Sequence, residues 1–168
     1  MTGHKMVTLI TSLVFCMVAG YADLYLFTTS IPVWYGILQK PDFVPPDIIV
    51  FYGIIAISFL LGFALYAIRN ADVKHHDVQL SLDLFLLGLL INVLWFYIFF
   101  EIRSIFLSLL LMVMLLTVLA CTIYQSLRST VGALIFLVPY FIVMIIVAYA
   151  SLLIYLLNPS LPVWGTFL

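Results

Sequence analysis

Charge is almost missing from this chain. Six Lys and Arg and seven Asp and Glu are spread over 168 residues, so 8% of the sequence is charged while 67% is hydrophobic. Ordinary soluble domains carry about 25% charged residues. With mean hydropathy at +1.33, there is too little polar surface to cover a globule in water. The bilayer must be the solvent, and every later inference follows from that. A net charge of −1 offers no electrostatic footprint for a nucleic-acid partner.

A membrane-crossing helix takes roughly 20 mainly apolar residues. The charges and prolines divide the chain into five such runs, near Met6–Thr28, Pro46–Ile68, Leu80–Phe100, Ile105–Tyr124 and Val131–Leu157. In lipid, backbone polar groups must be satisfied within the segment, so runs of this length are helices. A barrel would need alternating segments of roughly 10 residues; Leu107–Leu116 and Ile142–Val147 do not alternate. The expected fold class is therefore an all-α integral membrane protein, a bundle of five transmembrane helices, with no room for a separate soluble domain. Pro46 suits the first helical turn and Asp47 the positive end of the helix dipole. Glu101 and Arg103 bracket a short turn that makes helices three and four antiparallel neighbours. The first run resembles a signal peptide around Val18-Ala19-Gly20, but apolar character continues through Leu24–Phe27, so it reads as a retained helix.

Five spans place the termini on opposite sides. Lys5, Arg69, Lys74 and Arg128 share the N-terminal side, against Lys40 and Arg103 on the other, which points to a cytoplasmic N-terminus. Cys16 and Cys121 read as two buried thiols acting as small hydrophobes. His75-His76-Asp77 reads as a solvated loop, because neighbouring histidines rarely ligate one ion with good geometry. Thr8, Ser12, Cys16, Ala19 and Asp23 in helix one, and Thr117, Cys121 and Gln125 in helix four, form small-to-polar stripes of the kind that lets helices approach closely. Trp164 reads as an interfacial anchor.

Two regions carry chemistry. The loop at residues 29–45 is rich in proline and aromatics; Trp34, Tyr35 and Phe43 suit the bilayer interface. Its prolines limit the backbone, so it reads either as a plain anchor between two helices or as a semi-rigid lid. Inside the spans, Asn92 is the clearest buried polar group, with Trp95 one turn away on the same face. An amide in lipid needs a partner, on another helix or on a ligand. Asp23 and Asp83 are ionisable residues within spans and hence candidate functional groups.

WYGILQKPDFVPP resembles the TspO/MBR signature W-Y-x-x-L-x-K-P-x-W-x-P-P through Trp34, Tyr35, Leu38, Lys40, Pro41, Pro45 and Pro46. LLINVLWFYIFF is similar to the family's third-helix block at Asn92, Trp95, Phe99 and Phe100, and VPYFIV to its fifth-helix P-Y motif. The resemblance covers about residues 6–157. It implies a five-helix bundle with a ligand cavity walled by Asn92 and Trp95 and capped by the Trp34–Pro46 loop. The implied ligand set is Trp34, Leu38, Lys40, Pro41, Phe43, Pro45, Pro46, Phe51, Ile54, Gly88, Asn92 and Trp95, with Lys40 meeting a ligand carboxylate at the rim. The implied ligand is a tetrapyrrole such as protoporphyrin IX, or a sterol or lipid. Homodimerisation is implied too.

The chain departs from the family pattern at several cavity positions. Phe43 stands at the K-P-x-W tryptophan, Ile54 near the second-helix tryptophan, Val143 and Leu152 near two fifth-helix aromatics, and Gly88 at a third-helix glutamine. The expected cavity is therefore more aliphatic than usual. Some family members are associated with light-dependent porphyrin breakdown; without those tryptophans, and with no nucleophile–base pair, phosphate loop or metal cluster in the sequence, a binding role is expected rather than catalysis. No cofactor is required on this reading. The alternatives are a porphyrin-degrading enzyme and a ligand-free structural membrane protein in which Asn92 only fixes helix packing.

Overall fold

The computed structural model describes residues 2–71 and 75–159. Five helices account for nearly all of them: α1 Thr2–Ser30, α2 Asp47–Arg69, α3 His75–Phe96, α4 Ile105–Ser129 and α5 Val131–Leu157. Each is long and apolar enough to cross a membrane. They close into a ring in which α1 packs on α2, α2 on α5, α5 on α4, α4 on α3, and α3 back on α1.

α1 shows why this ring belongs in lipid. Between Thr8 and Asp23 its buried positions are Thr8, Ser12, Cys16, Gly20 and Asp23, while Val14, Val18 and Tyr21 are exposed. The small and polar residues face inward and the apolar ones outward. Water would enforce the reverse; lipid tails tolerate it, and small inward residues let helices approach closely. α1 and α2 do approach closely. A Cβ on Gly20 would lie 1.8 Å from Ser58 Oγ and 2.7 Å from Ser58 Cβ, and one on Gly62 would lie 3.0 Å from the Leu13 Cα. Arg69 ties the same pair of helices at one end, donating to Thr11 Oγ1 at 3.0 Å and Ser12 Oγ at 3.3 Å.

The turn between α3 and α4 is made by over-wide backbone hydrogen bonds. α3 runs into a π-turn at Tyr97–Glu101. Ile102 N–H bonds to the Tyr97 carbonyl at 3.1 Å, and Ser104 N–H reaches the Ile98 carbonyl at 3.2 Å. Arg103 turns the chain with a left-handed φ of 61°, as in helix-terminating motifs. Ser104 then caps α4 by accepting from Leu107 N–H at 3.4 Å. In α5, Pro139 has no N–H to give the helical ladder, an interruption that membrane helices accommodate with neighbouring groups.

The observed bounds differ from the sequence expectation in specific places. α3 begins at His75, ahead of Leu80, so His76 and Asp77 lie in its first turn rather than in a loop. Among the described residues no group of three His, Cys, Asp or Glu side chains could hold a metal ion. α4 extends past Tyr124 to Ser129 because Gln125, Ser126 and Ser129 turn inward, where Ser129 meets Ser81 of α3 at 2.8 Å. Cys16 is buried, but Cys121 is exposed. Thr117 is exposed with it, so these two do not form a seam. The seam of α4 runs instead through Ser108, Met112, Leu115, Leu119 and Thr122. Asp72, Lys74 and Trp164 lie outside the described residues.

Candidate functional site

The loop from α1 to α2 folds into the bundle rather than floating at its rim. Trp34, Tyr35 and Leu38 are buried, contrary to the interfacial placement expected for Trp34 and Tyr35. The cause is the π-turn at the end of α3: Trp34 Nε1–H donates to the Phe99 carbonyl at 3.0 Å. Tyr35 packs edge-on against Phe27 of α1 at 5.5 Å and against Phe100 at 5.6 Å. Its burial pushes the phenol up to about 12, and the Asp47 carboxylate adds to the shift. The returning limb is held from two sides. Phe43 stacks on Tyr149 of α5 at 5.7 Å. Gln39 exchanges two hydrogen bonds with Asn158, at 3.1 and 2.9 Å.

Beneath this loop lies a cavity of about 320 Å³, at the small end of the roughly 300–1,000 Å³ typical of small-molecule sites. Its wall has two halves. The side formed by α3 and the loop is aromatic, with Trp95, Phe96, Phe99, Phe100, Tyr35 and Phe43; the side formed by α2 and α5 is aliphatic, including Ile54, Ile57, Leu61, Val143, Met144 and Val147. The aliphatic expectation at Ile54 and Val143 therefore describes half of the wall. The rings on the α3 side are ordered by one another: Trp95 stacks on Phe99 at 5.5 Å and meets Phe96 edge-on at 5.0 Å.

One corner is polar. Asn92 Nδ2–H donates to Asp23 Oδ2 at 2.8 Å, and the Tyr140 hydroxyl donates to Asn92 Oδ1 at 3.0 Å. Three side chains from α1, α3 and α5 thus form one chain. Each end of the Asn92 amide is engaged, so its orientation is set by its partners. Asp23 is 4% exposed and Asn92 3%. Two polar atoms at this cavity have no protein partner, Asp23 Oδ1 and Trp95 Nε1.

Of the residues the family resemblance implied, Phe43, Pro45, Ile54, Asn92 and Trp95 line the cavity. Trp34 and Leu38 support the wall from the core. Lys40 is not at the cavity: its Nζ lies 3.8 Å from Asp47 Oδ1 and 3.7 Å from the centre of the Tyr35 ring, so the protein's own carboxylate occupies it. Pro41, Pro46 and Phe51 are also outside the wall, and Pro46 instead precedes α2 as its cap residue. Gly88 faces α4, where a Cβ would meet Val118 at 3.6 Å. Asp83 is exposed. The sequence reading weighed Asp23 but left it out of the ligand set, and noted Tyr140 only within the P-Y motif. The signal for both was the demand that a buried amide find partners; nothing in the sequence says which helix supplies them.

These features define a class: an integral membrane protein of five helices, four of which, α1, α2, α3 and α5, line a mainly apolar cavity with a polar corner. The profile of the TspO/MBR family matches residues 12–156, and the chain belongs to that family. Among curated proteins none matches it.

Proposed function

We propose that this protein binds a flat, apolar ligand inside the helix bundle and serves as a membrane receptor or transporter rather than as a catalyst. The observation that supports this most is the two-sided wall of the cavity. A stacked aromatic side opposite an aliphatic side suits a planar ring system, which gains by stacking on one face and by apolar burial on both. The family resemblance makes a tetrapyrrole such as protoporphyrin IX the first ligand class, with sterols or other lipids next. The excess of basic residues on the N-terminal side supports a cytoplasmic N-terminus.

The test is a dark titration of the detergent-purified protein with protoporphyrin IX, following the shift of the porphyrin's main absorption band. Saturation at one ligand per chain is expected. Ala150 lines the cavity on α5, and Ala150→Trp, which fills space there, is expected to weaken binding by about tenfold or more, equivalent to about 1.4 kcal/mol. After illumination the ligand is expected back unchanged. Consumption of the porphyrin under light would replace the binding role with an enzymatic one; binding unaffected by Ala150→Trp would move the ligand out of the cavity.

A further inference from the structure

We infer that the polar corner of the cavity is a recognition site for a hydrogen-bond donor, best met by a protonated nitrogen on the ligand; this rests on the cavity being a ligand site. Asp23 carries the inference. Its carboxylate is buried inside a membrane span, where an acidic group is costly and needs a partner. One oxygen has Asn92. The other, Oδ1, has none, and Asp23 lines the cavity. Among the described residues no Lys, Arg or His lines that cavity, so the protein supplies no cation of its own. Asn92, held from behind by Tyr140, cannot turn to serve the second oxygen without abandoning one of its two hydrogen bonds. The corner therefore holds, among the residues that line the cavity, a buried carboxyl group of fixed neighbours with one oxygen unpartnered.

The charge sign makes this a rule of selection. A ligand N–H or ammonium gains a charge-assisted hydrogen bond at Asp23. A ligand carboxylate offers Asp23 no such gain, because two carboxyl groups side by side in a medium of low dielectric constant hold only one charge between them. The free Trp95 N–H stands one turn from Asn92 on the same helix. It is a second unpartnered polar atom among the residues that line the cavity.

Three flat probes of one shape test this in neutral detergent at neutral pH: methylpyrene, pyrenemethylamine and pyrenecarboxylate, each followed by energy transfer from tryptophan. In the parent protein the amine is expected to bind about tenfold tighter than methylpyrene, as one charge-assisted hydrogen bond allows, and the carboxylate weakest of the three. In Asp23→Asn, amine and methylpyrene are expected within about twofold of each other, because the charge is gone while the shape is kept. An amine that binds no tighter than methylpyrene in the parent protein overturns the inference without needing any variant to fold, and so does a preference that survives Asp23→Asn. If methylpyrene saturates and the amine is not preferred, only the donor-recognition site falls. If no probe saturates, the cavity reading falls and takes this inference with it.

Discussion

Asn92→Leu is expected to destabilise the folded bundle by about 2–4 kcal/mol, the range for orphaning buried polar partners of a removed side chain. The substitution conserves most of the volume, so cavity formation contributes little. What it removes is the link between Asp23 and Tyr140. Asp23 would then have neither oxygen partnered inside the span, and the Tyr140 hydroxyl, 1% exposed as a residue, would have no acceptor. Replacing the whole chain behaves differently. In the triple variant Asp23→Leu, Asn92→Leu, Tyr140→Phe nothing is left orphaned, and most of the loss is expected to be recovered, as happens when buried polar groups are replaced together. Unfolding the detergent-solubilised protein with increasing SDS measures both. An Asn92→Leu protein as stable as its parent would mean that the three side chains meet without depending on one another.

Gly20→Leu is expected to cost about 3 kcal/mol, at the upper end of overpacking effects. The reason is the crossing of α1 and α2. A Cβ at position 20 would sit 2.7 Å from the Ser58 Cβ, and no rotamer moves a Cβ, so the two helices must separate. Ser58 Oγ is pinned as well, donating to the Ile54 carbonyl at 2.8 Å. Gly20→Ala forces the same contact with a smaller side chain and is expected to be rescued in part by Ser58→Gly, which removes the colliding atoms. Thermal scans of the purified variants in one detergent would show the loss and the rescue. A Gly20→Leu protein that melts with its parent would mean that the helices cross less closely than described.

The five spans were legible because lipid imposes one simple requirement: a run of apolar residues long enough to cross, interrupted by charge or proline where it ends. Asp47, Arg69 and Pro159 mark such ends. Which face of each helix points inward was much less legible. Lipid outside and cavity inside are both apolar, so hydrophobic patterning carries little information about direction. That is why Cys121 and Thr117 read as a seam yet face outward, and why the inward stripe of α4 went unread. The loop shows a second limit. Trp34 has the composition of an interfacial anchor, but the carbonyl of Phe99 in the π-turn of α3 gives its N–H a partner in the core. No local pattern announces a π-turn. Asn92 and Trp95 were legible as one helical face; the partnership of Asn92 with Asp23 depends on packing between helices one and three.

The most direct test of the cavity uses tryptophan as a reporter. In a Trp34→Phe, Trp164→Phe protein only Trp95 remains, and its ring forms part of the cavity wall. Titration with protoporphyrin IX in the dark is expected to quench that single emission saturably, with one ligand per chain at the end point. A protein that stays folded and whose Trp95 emission declines only in proportion to added porphyrin, without saturation, would contradict a ligand seated inside the bundle.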